Sequence, residues 1–247
     1  MNVRAIILAG QRPGPDALCD HAGVAFKADI PVGDVPMVQR VATALREAGV
    51  AEPFALSGYP NAKDGFQIIE GGRGPADSAL LAAGEGPFPI LLTTCDHALL
   101  TADMVESFIT QSQAAGVDFT AGLATETVIQ ADYPTTKRTY LRFADHAVSG
   151  CNLFYLANEN ALEAIRFWRV AQDFRKEPLK LARMVGLGLG LKYASGRLTL
   201  GGAFDAVSKK LSITAAPVLL PFAEAAIDVD KPSDLELVEE ILAARPA

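Results

Sequence analysis

Two rhythms of apolar and polar positions alternate along the first half of the chain. Short runs of strand character occur at residues 3–9, 53–57, 67–70, 89–94 and 117–122, most of them closing on glycine or a polar tip. Runs this short, bounded by turn residues, read as buried strands of a parallel sheet. Between them apolar residues recur at helical spacing. Met37, Val38, Val41, Leu45 and Ala48 follow Asp34 and Pro36 and stop at Gly49; a shorter helix covers 79–83. Thr101 has the chemistry of an N-cap for a helix over 102–115, with Asp103 and Glu106 near its positive end. This alternation predicts an α/β fold: a three-layer, open, mixed but mostly parallel sheet with helices on both faces.

After Gly122 the rhythm changes. Segments 139–143 and 148–156 read as two strands joined through 144–147, hence a hairpin or edge element on a mixed sheet. Asn158 opens a helix carrying Leu162, Ile165, Phe167, Trp168 and Val170, and 174–211 combines Lys and Arg with an apolar, glycine-broken stretch at 184–193. Short strands are expected at 218–220 and 226–229. Ser233 and Glu236 are spaced as a capping box for a closing helix with Leu235, Leu237, Val238, Ile241 and Leu242 on its apolar face. With no internal repeat or low-complexity linker, residues 1–247 are read as a single domain with a helical insertion at about 158–211.

Composition narrows the function classes. The 247 residues are 50% hydrophobic, enough for a full core, and the net charge of −7 argues against nonspecific binding to nucleic acid. No run approaches a membrane span, and the first strand follows Met1 with no signal peptide between, so a cytoplasmic protein without stable membrane insertion is expected. Cys19, Cys95 and Cys151 lie far apart, which indicates buried thiols rather than a disulfide framework or a zinc site.

The chemistry gathers at the first strand's tip. Gly10, Arg12, Pro13 and Gly14 form a loop at the carboxyl end of that strand, where open α/β sheets bind ligands, and Lys27 brings a mobile cation to it. The glycines match neither the P-loop nor the dinucleotide fingerprint. Leu8, Ala9, Gly10, Arg12, Lys27, Pro31, Val32, Gly33, Pro36 and Met37 instead fit an opening signature of roughly Leu-Ala-Gly-Gly, Arg, then Lys-x-Leu-x-Pro-Val-x-Gly-x-Pro-Met. In this the chain resembles the nucleotidyltransferases of the glycosyltransferase-A fold, a Rossmann-like architecture, and within them the molybdopterin-guanylyltransferase-like branch. Gln11 replaces the second glycine, Val35 stands where Lys is usual, and residues 15–26 form a longer connection than the signature has.

The resemblance implies roles for particular residues. Leu8, Ala9, Gly10, Gln11 and Gly14 would line the nucleotide's phosphates, Arg12 would bind the β- and γ-phosphates, and Lys27 would stabilise charge developing in the transition state. The glycine-rich stretch 71–78 is similar to the family loop that lies against the base, which brings in Gly74, Pro75 and Ser78; Ser57 at the second strand's tip is similar in kind. Asp96, followed by His97, Ala98, Leu99, Leu100 and Thr101, resembles the metal aspartate of Asp-x-Pro-Leu-Leu-Thr, although a turn-capping Asp has the same residue type. Asp228 and Asp230 lie on one face if their segment is a strand. Asp230 matches the second metal-side residue of relatives better than Asp228, and helix capping is its other reading. Asn152, Lys137 and Arg138 are the acceptor-side candidates.

The expected activity is therefore nucleotidyl transfer: an NTP and a small, phosphorylated or otherwise anionic acceptor as partners, Mg²⁺ as cofactor held by Asp96 and Asp230, and pyrophosphate as product. A nucleotide-sugar glycosyltransferase and a noncatalytic nucleotide-binding relative are the alternatives. The basic segment at 174–211 is either a helical cover or one wall of the acceptor pocket, with Lys176, Lys180, Leu187, Leu189 and Tyr193 facing the acceptor.

Overall fold

The computed structural model describes residues 1–11, 14–61, 65–84, 86–136, 138–173 and 186–245. Its main sheet contains β1 (Arg4–Leu8), β4 (Ala51–Ser57), β5 (Phe66–Ile69), β6 (Ile90–Thr94), β7 (Phe119–Thr125), β8 (Leu141–Arg142), β9 (Ala147–Leu156) and β10 (Ala215–Leu219). The strand order is β10-β7-β9-β6-β1-β4-β5, with β8 added beside β9. Pairs are parallel except those made by β9, which runs against β6, β7 and β8. The sheet is therefore mixed and mostly parallel.

The central strand shows why helices cover both faces. Ala5, Ile6 and Ile7 of β1 are fully buried although neighbours in sequence point to opposite sides. Val3, Ala5 and Ile7 pack with Val38, Val41 and Leu45 of α2 (Met37–Glu47) and with Met104, Val105 and Phe108 of α4 (Ala102–Ala115). Ile6 and Leu8 pack on the other face with Ala76, Ala79 and Ala82 of α3 (Pro75–Gly84) and Leu162 and Ile165 of α6 (Leu162–Asp173). A third cluster lies beyond the strand tips. It joins α1 (Ala17–Ala22), Ile227, Val229 and Leu235, Val238 and Ile241 of α9 (Pro232–Ala244).

Several expected boundaries move, each for a local reason. The first long helix begins at Met37 rather than Asp34, because Gly33 (φ 52°) and Asp34 (φ 63°) make a left-handed two-residue turn joining β2 (Pro31–Val32) to β3 (Val35–Pro36). Segment 226–229 is not a strand: a 3-10 turn, Ala223–Ala226, closed by Ile227 N–H to the Glu224 carbonyl, leads into an extended stretch whose Val229 N–H bonds the Asp96 carbonyl just past the carboxyl end of β6. The closing helix starts at Pro232, and its cap is Asp234, which accepts the Asp230 and Lys231 N–H groups at 3.1 Å; Ser233 and Glu236 do not form the expected box. Strand 139–143 shortens to β8. Two helices were not expected from the sequence, α1, capped by Asp16 and ended by Gly23 in the left-handed region, and α5 (Glu126–Asp132), capped by Thr125. In the basic region the described helices are α7 (Leu187–Ala194), which buries none of its residues, and α8 (Leu200–Leu211), which packs on β10. No helix among the described residues is long and apolar enough to cross a membrane.

Candidate active site

Three strands end together in glycine. A Cβ on Gly58 would sit 2.7 Å from the Gly10 Cα, and one on Gly71 would sit 2.8 Å from the Gly58 Cα. Backbones approach this closely only where side chains are absent, and Gly58 also takes a positive φ of 82°. Beyond the strands proper, Ala9 N–H still bonds the Ser57 carbonyl and Gly58 N–H the Ile69 carbonyl. The tips of β1, β4 and β5 therefore form a floor of backbone, open to a flat group. Leu8 and Ala9 are buried and offer only their main chain to this floor, whereas Gly10 is exposed upon it. Ser57 is wholly buried and donates to the Glu70 carbonyl at 3.5 Å.

The glycine-rich loop between β5 and α3 is closed by its own serine. The Ser78 hydroxyl accepts the Gly72 N–H at 2.9 Å, and Ser78 N–H bonds the Gly74 carbonyl as Pro75 starts the helix. Gly74 borders the Gln172 side chain of α6, where an added Cβ would stand at 3.4 Å. This loop adjoins the glycine floor through Gly71, and the Ser78 hydroxyl closes it as an acceptor. Gly14 is exposed in a left-handed conformation (φ 112°). Arg12 and Lys137 lie outside the described residues, as do Lys176 and Lys180.

Beside the floor, one ammonium gathers two carboxylates far apart in sequence. Lys27 Nζ donates to Asp96 Oδ2 at 2.8 Å and to Asp230 Oδ1 at 2.7 Å. Burial works against the Lys27 charge, but Asp96 and then Asp230 more than offset it, and the ammonium is held above the usual lysine range. Asp96 stands just past β6, where Cys95 N–H bonds the Leu8 carbonyl, and Thr94 Oγ1 donates to its Oδ1 at 2.5 Å. Lys27 opens a 3-10 turn, Lys27–Asp29, and its own N–H is taken by Gln11 Oε1 at 3.0 Å. The far side of that turn is tied to the core, because the buried Tyr59 donates to Asp29 Oδ1 at 2.6 Å and receives the Phe26 ring edge-on.

The second acidic residue of the late segment has different partners. Arg138 donates to Asp228 Oδ1 and to the Ala226 carbonyl, and Asn152 Nδ2 reaches Asp228 Oδ2 at 3.4 Å. Asn152 has a positive φ of 50°, next to a register shift in the β7–β9 pairing. An irregularity there turns β9 away from the β6 tip, a common device beside active sites. Residues 227–230 enter the space so opened. Arg138, Ser149, Asn152, Asp228, Asp230 and Lys231 then line a cleft of about 420 Å³. Asp228 and Asp230 share this cleft although no strand alternation places them there.

The donor set suits a hard cation. Two carboxylate oxygens converge on one positive charge, and oxygen ligands are what Mg²⁺ takes. Among the described residues no group of three or more His, Cys, Asp or Glu is placed to hold a metal. His97 follows Asp96 but is turned inward, 1% exposed, with neither ring nitrogen paired. Burial lowers its pKa to about 4, against Asp228, which raises it, and with Arg138, which adds to the lowering. It remains neutral at pH 7. The three cysteines are free and buried. Burial raises the Cys95 and Cys151 thiols far above neutrality, so they are not nucleophiles.

Thr94, Tyr59 and Asp29 support this site without any signal in the sequence, since each acts through a neighbour that only folding supplies. Gln11 was legible as a departure from the signature, but not as an acceptor for Lys27.

Known structures share this architecture. A hypothetical transferase from Thermus thermophilus is 29% identical, with a TM-score of 0.81 over 95% of this chain and 100% of that one. A 2-C-methyl-D-erythritol 4-phosphate cytidylyltransferase, also from Thermus thermophilus, is 17% identical (TM-score 0.54; 99% and 100% covered). Molybdopterin-guanine dinucleotide biosynthesis protein A from Archaeoglobus fulgidus is 12% identical (TM-score 0.54; 98% and 100% covered). The last two show the fold alone. Comparison with curated protein sequences gives no match. The MobA-like NTP transferase domain matches residues 5–130, a span that holds the glycine floor, Gln11, Lys27 and Asp96 and stops short of Arg138, Asn152 and Asp230. With half of its length matched to that domain, the chain belongs to the MobA-like NTP transferase family, and nucleotidyl transfer is the general class of its reaction.

Proposed function

We propose that this protein transfers a nucleoside monophosphate unit from an NTP to a phosphorylated or similarly anionic small molecule, releasing pyrophosphate, with Mg²⁺ held by Asp96 and Asp230. One observation carries the reading: Asp96 and Asp230 converge on Lys27 Nζ beside the glycine floor. Flat base, phosphates, metal and cation then have adjoining places. Mg²⁺, when bound, supplies charge neutralisation at the α-phosphate.

The chain's own groups do the rest by position and charge. Backbone N–H groups around Gly10 and Gly14, with Arg12, hold the β- and γ-phosphates, and the floor at Gly10, Gly58 and Gly71 lets the nucleoside lie close. Asn152, Arg138 and Lys137 border the acceptor, whose phosphate oxygen attacks the α-phosphorus as the bond to the β-phosphate oxygen breaks. The electron pair leaves with pyrophosphate. Lys27 keeps its proton throughout and meets the charge that grows on the departing and bridging oxygens. A phosphomonoester with a second pKa of about 6 is already ionised at neutral pH, so no general base is called for. That agrees with a site whose one histidine is buried and neutral.

A nucleotide-sugar glycosyltransferase is disfavoured because its Asp-x-Asp would need Asp228, which is engaged by Arg138 and Asn152. The test is a thermal-shift screen of the four NTPs with and without Mg²⁺, followed by a pyrophosphate-release assay against anionic acceptors. Stabilisation by one NTP that depends on the metal, then acceptor-dependent pyrophosphate, is the expected result. Stabilisation by nucleotide-sugars alone, or no pyrophosphate with any acceptor, sinks the proposal.

A further inference from the structure

Position 11 carries glutamine where the opening signature has glycine, and the side chain is used. Gln11 Oε1 accepts the Lys27 N–H at 3.0 Å and the Cys19 thiol at 3.6 Å. Gln11 leaves β1 and Lys27 opens the 3-10 turn, 16 residues later. The connection between them is the part of the chain that is longer than the signature, and it contains α1, capped by Asp16 and ended by Gly23. One amide carbonyl thus fastens both the middle and the far end of the extended loop to the strand that forms the glycine floor.

The bond lands on an N–H that the 3-10 turn itself leaves without a partner, since the first donors of a helical turn have none inside it. The other ties of this turn act elsewhere. Tyr59 holds Asp29, Ile30 N–H bonds the Lys27 carbonyl, and Phe26 packs on Tyr59. We infer that Gln11 is a positioning residue for Lys27, taking over with a side-chain acceptor the job of holding the lysine backbone at the strand tip, so that Nζ reaches Asp96 and Asp230. It is assigned here to the lysine rather than to the nucleotide. The inference rests on the reading of Lys27 as the cation of the reaction.

The experiment needs neither nucleotide nor acceptor. Lysines are trace-acylated with acetic anhydride in the full-length protein, and the modification of Lys27 is read by mass spectrometry relative to Lys209 and Lys210 on α8, near the last turn of that helix. In the wild type Lys27 is expected to react slowly, because its side chain is 17% exposed and doubly ion-paired. Gln11→Met keeps length and apolar bulk without an acceptor, Gln11→Ala removes both, and Gln11→Glu keeps the acceptor. Relative labelling of Lys27 is expected to rise roughly fivefold in the Met and Ala variants, the shift that loss of one hydrogen bond supplies. The Glu variant should stay within about twofold of the wild type, as rescue by a surviving acceptor requires.

Unchanged labelling in Gln11→Met, or equal increases in Met and Glu, overturns the inference. So does global unfolding of both Met and Ala variants by circular dichroism, which would make Gln11 a structural residue. Should Lys27 loosen as expected while no NTP is ever turned over, the positioning role stands and the proposed function fails. Should turnover be found with Lys27 equally protected in every variant, the reverse holds.

Discussion

Asp230 and Asp228 stand two residues apart on one extended segment and end in different chemistry. Asp230, 65% exposed at its side chain, reaches Lys27 beside the glycine floor; Asp228, 27% exposed, is taken by Arg138, itself only 12% exposed, and by Asn152. Residue type and neighbourhood in sequence are nearly the same. What differs is the cation that the fold brings. Lys27 arrives on a turn fixed from β1 and, in the proposed reaction, yields its carboxylates to a metal, whereas Arg138 is also bonded to the Ala226 carbonyl and braces the segment it touches. One side of the cleft is exchangeable and the other is committed.

The sharpest break of that comparison is to remove a carboxylate from the Lys27 side. Asp96→Asn or Asp230→Asn should lower kcat at least about 10²-fold by loss of charge stabilisation, with little change in melting temperature. Near-normal metal-dependent turnover in either variant would falsify the assignment. On the committed side the largest effect concerns protons. His97 lies buried near Asp228 and Arg138 with its pKa lowered to about 4 from 6.5, so the unfolded chain binds its proton first as pH falls. Stability should drop by about 3 kcal/mol between pH 6.5 and 4, and His97→Gln should flatten that slope in urea titrations at several pH values. An unaltered slope would remove His97 from the account.

Asp228→Asn should cost about 1–3 kcal/mol of stability, since it leaves the Arg138 guanidinium poorly paired, and should raise the acceptor's KM without removing metal dependence. A denaturant midpoint equal to wild type would show that the pair is not a brace. The smallest expected change is in Lys27→Met. With its ammonium gone, Asp96 and Asp230 no longer have a competing cation, and Mn²⁺ or Mg²⁺ should bind about tenfold more tightly in the absence of nucleotide. Calorimetry giving equal or weaker affinity would mean that Lys27 and the metal do not share the two carboxylates.

The periodicity of apolar positions determined the layers: five runs of strand character became β1, β4, β5, β6 and β7, and the helices between them cover both faces because the central strand β1 is apolar on both. The first loop's glycines, Lys27 and Asp96 were legible for a similar reason. Gly10 and Asp96 each belong to one strand and its following turn, and Lys27 was read from the opening signature across a longer connection. Tertiary structure alone decided the rest. Residues 226–229 looked like a strand because alternating apolar residues pack equally well in an extended segment that borrows one hydrogen bond from Asp96. The start of α2 moved because left-handed Gly33 and Asp34 favour a hairpin turn over a helix start. That Asp230 joins Lys27 while Asp228 joins Arg138 depends on contacts spanning 203 and 90 residues, and no local pattern encodes a distance of that kind. Gln11 makes the same point at short range: its residue type announced a departure from glycine, but only the folded loop, by returning Lys27 to the strand tip, supplied the N–H that its carbonyl accepts.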